Sequence, residues 1–195
     1  RVQGRITVKT EGICGQTFLI DDAGRHRWSP LAPYSRVEVE FQQPELRWNG
    51  HGYFDTNAGD EPLEDAFAFW DWSRTILDGD KTAILYNTDM LSGASCLSAL
   101  MVDRTANIEE IDEPPSIDLP PTRIFRVPRQ TRSEAGRTAS IIKTLEDVPF
   151  YSRSLIESQL FGSRRQGIHE SLCGPRLNWR MTQFMLPFRM PRRRG

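Results

Sequence analysis

The chain has little cysteine: Cys14, Cys96 and Cys173 stand far apart among 195 residues, with no CxxC pair. That excludes a disulfide framework and the common zinc spacings, and a reducing compartment is the expectation. No apolar run reaches the roughly 18 residues that a membrane-spanning helix needs, and no signal peptide is visible. Motifs of several enzyme classes are missing too: no phosphate-cradling glycine loop, no GxSxG elbow and no HExxH. The formal net charge is only −1, and without a nucleic-acid motif no nucleic-acid partner is expected. Asp60, Glu61, Glu64 and Asp65 crowd one turn, but not at EF-hand spacing, so a solvated acidic turn is the simpler reading and no metal is expected. The chain opens on Arg1 rather than Met and reads as a fragment or processed chain, with further β structure expected upstream.

What is present is a globular composition, 38% hydrophobic and 26% charged, enough to bury a core without staples. Charge is uneven. Glu38 to Asp118 holds 18 acids against 4 bases, and Tyr151 to Gly195 holds 9 Arg against 2 Glu. Such asymmetry steers a partner or simply faces water.

The dominant period is two. "RVEVEF" places Val37, Val39 and Phe41 on one face and Arg36, Glu38 and Glu40 on the other, a half-buried strand. "GQTFLIDDAGRHRW" reads as strand, turn, strand. "AFAFWDWSRTIL" and "KTAILYN" flank "DGD", a hairpin signal, and "ASCLSALMV" reads as a further strand. Ile108 to Pro121 carries four Pro and five acids and reads as a surface loop, because proline withholds backbone donors. Strands are expected again over "TRIFRV", "RTASIIKTL" and "YSRSLIESQLFGSRRQGIHESL", the last turning near Phe161 and Gly162, with "TQFMLPF" as a closing strand. No heptad or long repeat is present. The fold class is therefore antiparallel all-β, a barrel or a sandwich.

The stretch Gly50 to Arg74 packs two Trp, three Phe and a Tyr against six acids. Alternation in "WNGHGYFD" sends His51, Tyr53 and Asp55 one way and Trp48 and Phe54 the other. Gly50 and Gly52 leave room there for another chain or a ligand. His26 and Trp28 share a face in "HRW". If these strands line one cavity, it holds a carboxyl, a phenol, an imidazole and an indole. That set suits acid-catalysed addition of water to an alkene. A carboxyl in an apolar pocket keeps its proton, aromatic faces stabilise the resulting carbocation, and a polar neighbour orients the water. Each residue also has a plainer reading. A lone Asp at a strand end is usually a cap, Tyr53 and Trp28 are ordinary core rings, and His26 or His51 is an exposed or structural imidazole. Spacing alone leaves the function unnamed.

The segments "HRWSPLAPYSRVEVEF", "WNGHGYFDTNAGDEPLEDAFAFWDWSR" and "LPFRMPRRR" resemble the carotenoid 1,2-hydratase family, also called hydroxyneurosporene synthase. The similarity runs with gaps from about Val2 to Arg194. Its most specific part is G-x-G-Y-x-D-x-N-x-G-D-x-P-L-E followed by W-x-W-S-R. The resemblance implies a lipocalin-like fold and hydration of the terminal double bond of an acyclic carotenoid such as neurosporene or lycopene, in carotenoid biosynthesis and without a cofactor. It implies Asp55 as proton donor, Trp28 and Tyr53 as cation-stabilising or positioning rings, and His26 as a supporting polar group. The expected organisation is the C-terminal part of a two-domain β protein. Residues 1–105 carry the site, as the end of an N-terminal barrel and a crossover; 106–122 form a Pro/acid-rich loop; and 123–195 are C-terminal strands with a basic tail. The implied partners are the carotenoid and water, with peripheral membrane contact through "FMLPFRMPRRRG". The implied setting is bacterial, in the cytoplasm or on the inner face of the membrane. A non-catalytic lipocalin-like carrier of isoprenoids and a related isoprenoid cyclase are the alternatives.

Overall fold

The computed structural model describes residues 2–189. Thirteen strands dominate, and every pairing among them is antiparallel. The first sheet is built on one long strand, β3 (His26–Gln43). Along one edge of β3 lie β1 (Gln3–Lys9) and β2 (Phe18–Leu19), and β4 (Glu45–Gly59) pairs along the other. The second sheet has seven strands in the order β11-β12-β13-β5-β6-β7-β8. These are β5 (Phe67–Leu77), β6 (Lys81–Met90), β7 (Ser95–Asp103), β8 (Ile108–Glu110), β11 (Ser140–Val148), β12 (Tyr151–Leu160) and β13 (Ser163–Cys173). A third, two-stranded sheet pairs β9 (Ser116–Leu119) with β10 (Arg129–Arg132). A short helix α1 (Leu63–Ala66), a 3-10 turn (Gly174–Asn178) and α2 (Arg180–Arg189) complete the described chain. The outcome is a sandwich of open sheets rather than a closed barrel, within the all-β class that the period-two pattern predicts.

Proline shapes β3. Between Ser29 and Ala32, and again between Ala32 and Ser35, its register with β4 slips. Pro30 and Pro33 lie within these steps and have no N–H to offer the ladder, so the strand bulges there instead of ending. Gly52 answers a different need from a ligand's. A Cβ at that position would lie 2.3 Å from Val37 Cγ2, whereas Gly50 meets nothing closer than Trp48 at 3.7 Å. Gly52 therefore serves the packing of β4 on its own partner strand.

Three sequence expectations are corrected. "TRIFRV" is a bend: Arg126 takes φ 53°, Thr122 and Val127 hydrogen-bond to each other's backbone, and Pro121 and Pro128 bar strand pairing on either side. Asp147 accepts the Ile124 and Phe125 amides, which fixes the bend against β11. "TQFMLPF" is helical, within α2; its Gln, Met and Leu are good helix formers, and an apolar run of that length has no period to separate strand from helix. The Pro/acid-rich stretch is not wholly loop. It carries β8 at the edge of the large sheet and the short β9, both at positions where proline-flanked strands are tolerated.

The two faces of the large sheet differ. One packs against the first sheet through Trp28, Phe67, Trp72, Ile84, Tyr86, Leu100 and Val102, all buried. A large apolar side chain removed from water contributes about 1.5–3 kcal/mol, so this layer holds the two sheets together. The opposite face carries a buried polar strip, with Asn87, Asp71, Ser171 and Ser152 side by side across four strands, beside a smaller apolar cluster of Leu85, Ala99 and Leu160. β10 and its neighbours cover that face. Arg129 donates to Ser154 Oγ, Arg132 donates to Asn87 Oδ1, and His169 Nε2 meets the Gln130 carbonyl at 2.7 Å.

The 3-10 turn locks onto the start of β5. A Cβ on Gly174 would lie 1.9 Å from the Phe67 carbonyl oxygen, which belongs to backbone and cannot step aside. Gly174→Ala is expected to cost about 1–3 kcal/mol or more, read as a lowered urea midpoint at unchanged slope. An unchanged midpoint would show that the turn is free to move away.

Candidate active site

Asp55 and Trp28 meet because β3 and β4 pair with Trp28 opposite Asn57. Asp55, two residues before Asn57, is then Trp28's diagonal neighbour on the same face. Trp28 Nε1 donates to Asp55 Oδ2 at 2.9 Å, and Tyr53 OH donates to the same oxygen at 2.9 Å. Both donors address Oδ2, which leaves Oδ1 to the space beyond. Burial first, and the Asp55 charge second, hold the Tyr53 phenol well above its usual pKa, so it stays a donor.

The large sheet supplies the opposite wall. "WDWSR" alternates, so Trp70, Trp72 and Arg74 project together, and Trp72 pairs with Tyr86 across β5 and β6. Tyr53 packs on Trp72 with centroids 4.9 Å apart, Trp28 meets Tyr86 edge-on at 5.3 Å, and Trp70 meets Tyr86 edge-on at 5.9 Å. Tyr53, Asp55, Asn57, Trp70, Trp72, Tyr86, Arg153 and Glu170 line an open-mouthed cavity of about 300 Å³. That is near the lower limit of small-molecule sites, about 300–1,000 Å³, and suits one end of a long molecule. Arg74 stands behind Tyr53, 5.6 Å from its ring centroid, and donates to the Pro33 carbonyl. Burial lowers its pKa to about 10, which still leaves it charged at neutral pH.

His26 is placed differently. It is buried on the same strand as Trp28, but its ring packs edge-on against Phe67 at 4.7 Å and it is not among the residues lining the cavity. Its backbone amide donates to Asp21 Oδ1, and its Nε2 lies 3.8 Å from Glu61 Oε1. Asp21, His26 and Glu61 offer ligand atoms within 4.8 Å of one another. Asp21 Oδ1 and Oδ2 each accept a backbone amide, and Glu61 pairs with Arg25, so the group reads as the knot that ties the β2–β3 turn to the segment before α1. Asp60 pairs with Arg27. His51 is exposed and shares a separate groove with Lys9, Tyr34 and Arg104.

The structure thus gathers Asp55, Tyr53 and Trp28 and sets His26 behind them. Sequence reasoning missed Tyr86, Arg153 and Glu170. They come from strands distant in sequence, and nothing local marks them. Trp70, Trp72 and Arg74 stand in the W-x-W-S-R motif, which carried no assigned role. A groove of about 360 Å³ lies elsewhere, between α2 and the β11–β12 turn, lined by Val148, Pro149, Phe150, Met185 and Leu186. Its Asp147 is occupied by backbone amides, and none of the expected site residues lines it.

Fold and pocket together define an antiparallel β-sandwich protein with one carboxylate held against an aromatic wall. The sequence model of the family described as Carotenoid hydratase CrtC matches residues 1–195, and the chain belongs to that family. It is similar to proteins named acyclic carotenoid 1,2-hydratase. The one from Thiocapsa roseopersicina is 47% identical over 192 residues, covering 98% of this chain and 47% of that protein. The one from Rubrivivax gelatinosus is 40% identical over 193 residues, covering 99% and 47%. The one from Rhodobacter capsulatus is 36% identical over 196 residues, covering 100% and 69%. The chain spans about half the length of the first two. A crystal structure of a candidate AttH protein from Nitrosomonas europaea superposes with TM-score 0.55 at 13% identity, covering 88% of this chain and 60% of that one. At that identity the likeness concerns the fold alone.

Proposed function

We propose that this chain adds water to the terminal carbon–carbon double bond of an acyclic carotenoid, such as neurosporene or lycopene, by acid catalysis through a tertiary carbocation, as a cofactor-independent hydro-lyase of carotenoid biosynthesis. The observation that carries the reading is the pair of donors on Asp55 Oδ2 within the aromatic cavity. A proton on Oδ1 would face an alkene in that space, while Trp28 and Tyr53 hold the carboxyl in one orientation and stabilise the carboxylate left after transfer. The faces of Tyr53, Trp72 and Tyr86 would surround the cation, each contributing about 0.5–2 kcal/mol once water is excluded. His26 takes a supporting role from outside the cavity, fixing the start of β3 so that Trp28 reaches Asp55. Similarity to the named hydratases over the whole chain supports the substrate class.

Peripheral membrane docking belongs to the same proposal. Among the described residues no helix is long and apolar enough to cross a membrane. Trp179, Met181, Phe184 and Leu186 are exposed on and beside α2, next to Arg176 and Arg180, a combination that suits an anionic lipid surface. Met190 and Arg192 to Arg194 of the basic tail lie outside the described residues.

The test is incubation with lycopene or neurosporene and mass spectrometry of the pigment. The expected product is one water heavier than the substrate. Binding without mass gain would make the protein a carrier, and a product isomeric with the substrate would make it a cyclase.

A further inference from the structure

We infer that Glu170 is the base that takes a proton from the attacking water, with Arg153 holding it in place; this rests on the hydratase reading above. Hydration needs two proton-handling groups in different places, one to protonate carbon and one to deprotonate the incoming water. The cavity is lined by two carboxylates, Asp55 from the small sheet and Glu170 from the large one. Glu170 lies in a cross-strand row that runs Tyr86, Trp72, Glu170, Arg153 over β6, β5, β13 and β12. It therefore projects from the same wall as Trp72 and Tyr86, two of the rings proposed to face the cation.

Its oxygens are unequally used. Arg153 Nε and Nη2 both reach Oε1 at 2.8 Å, so Arg153 itself does not use Oε2, and the Tyr151 phenol lies beside the same carboxylate. The guanidinium itself is set against the Tyr151 ring, 5.9 Å from its centroid, which limits its motion. The Tyr86 phenol is near both carboxylates: after burial, the charges of Asp55 and Glu170 each raise its pKa. The Arg153 and Glu170 side chains are 43% and 25% accessible, whereas Trp28 and Tyr86 are 0% and 4% accessible. The Arg153–Glu170 end is therefore open to water, and Asp55 is itself only partly buried.

The step balances. Asp55 gives its proton to the alkene carbon that bears one hydrogen, forming a C–H bond and leaving the positive charge on the dimethyl carbon. The water oxygen forms the C–O bond, and Glu170 takes one water hydrogen. Asp55 ends as carboxylate and Glu170 as acid, and return of that proton to Asp55 through solvent restores both. No oxidant or reductant enters.

The two half-reactions can be read apart in deuterium oxide. If the cation forms but no base activates water, it collapses by returning a proton to Asp55, and recovered alkene gains deuterium. Glu170→Gln keeps the side chain's shape and an acceptor for Arg153. It is expected to lower alcohol formation by about 10²–10⁴-fold while deuterium entry into recovered lycopene persists at a rate comparable to the parent's. Asp55→Asn is expected to lose both signals. Near-unchanged hydration by Glu170→Gln overturns the assignment. So does loss of both signals in a variant that keeps the parent's circular dichroism and lycopene-induced quenching of tryptophan fluorescence. If the parent chain forms neither alcohol nor deuterated alkene, the hydratase reading itself fails, and the role of Glu170 falls with it.

Discussion

Replacing Asp55 by Asn is expected to abolish hydration, with a loss of at least about 10²–10⁴-fold and little change in stability. The amide oxygen still accepts from Trp28 Nε1 and Tyr53 OH, the two donors that now address Oδ2, so the β3–β4 pairing and the aromatic wall are retained. What disappears is the only proton that Asp55 can give. An isolated alkene is a weak base, and a phenol whose pKa is raised, as that of Tyr53 is, is too weak an acid to take over. The measurement is product mass after incubation with lycopene, alongside a thermal midpoint. Turnover retained in a folded Asp55→Asn protein would remove Asp55 from the reaction. Loss of turnover together with a large fall in the midpoint would place it among structural residues instead.

The largest expected effects on stability come from the buried polar face of the large sheet, and they oppose each other. Burial raises the Asp71 carboxyl from 3.8 to about 7; Arg132 pulls the other way and Asp89 adds to the rise. A folded pKa above the unfolded one means that the native state binds the extra proton between these values. Its stabilising contribution is complete below pH 3.8 and fades as pH climbs through about 7. Three pH units correspond to roughly 4 kcal/mol. His169 behaves in the opposite sense. Burial lowers its pKa from 6.5 to about 4, partly offset by its hydrogen bond to Gln130. The native state prefers the neutral ring, so this contribution is present above pH 6.5 and lost as pH falls through about 4, a change of roughly 3 kcal/mol. In the parent the two slopes largely cancel between these limits. Urea unfolding from pH 4.5 to 8 is expected to separate them. Asp71→Asn should gain on the parent as pH rises, and His169→Gln should gain on it as pH falls. Parallel pH curves for the parent and both variants would mean that neither group is held in its uncharged form by burial.

Much of the fold was legible from alternation alone. The existence of β3 and β4, the β5–β6 and β12–β13 hairpins and the positive-φ turn at Phe161 and Gly162 follow from period two and glycine placement, because alternation and tight turns are local matters. The failures share a cause as well. "TRIFRV" has the composition of a strand, but its shape is set by Asp147 and by Arg176, which donates to the Phe125 and Arg126 carbonyls from far along the chain. "TQFMLPF" has no period that separates helix from strand, and the groove it lines together with the β11–β12 turn lies beyond any local pattern. His26 shares a face with Trp28, as alternation requires, yet alternation does not say how far along that face the cavity extends.

By itself the sequence determined which side chains share a strand face: Tyr53 with Asp55, His26 with Trp28, Trp70 with Trp72 and Arg74. Strand geometry alternates regardless of surroundings, so those groupings needed no tertiary information. Only the tertiary structure decided which faces meet. Packing of the small sheet on the large one set Asp55 opposite Tyr86 and Glu170, left His51 outside, and put Phe67 between His26 and the pocket. Such meetings depend on the burial of apolar surface by whole sheets, a property of no single segment.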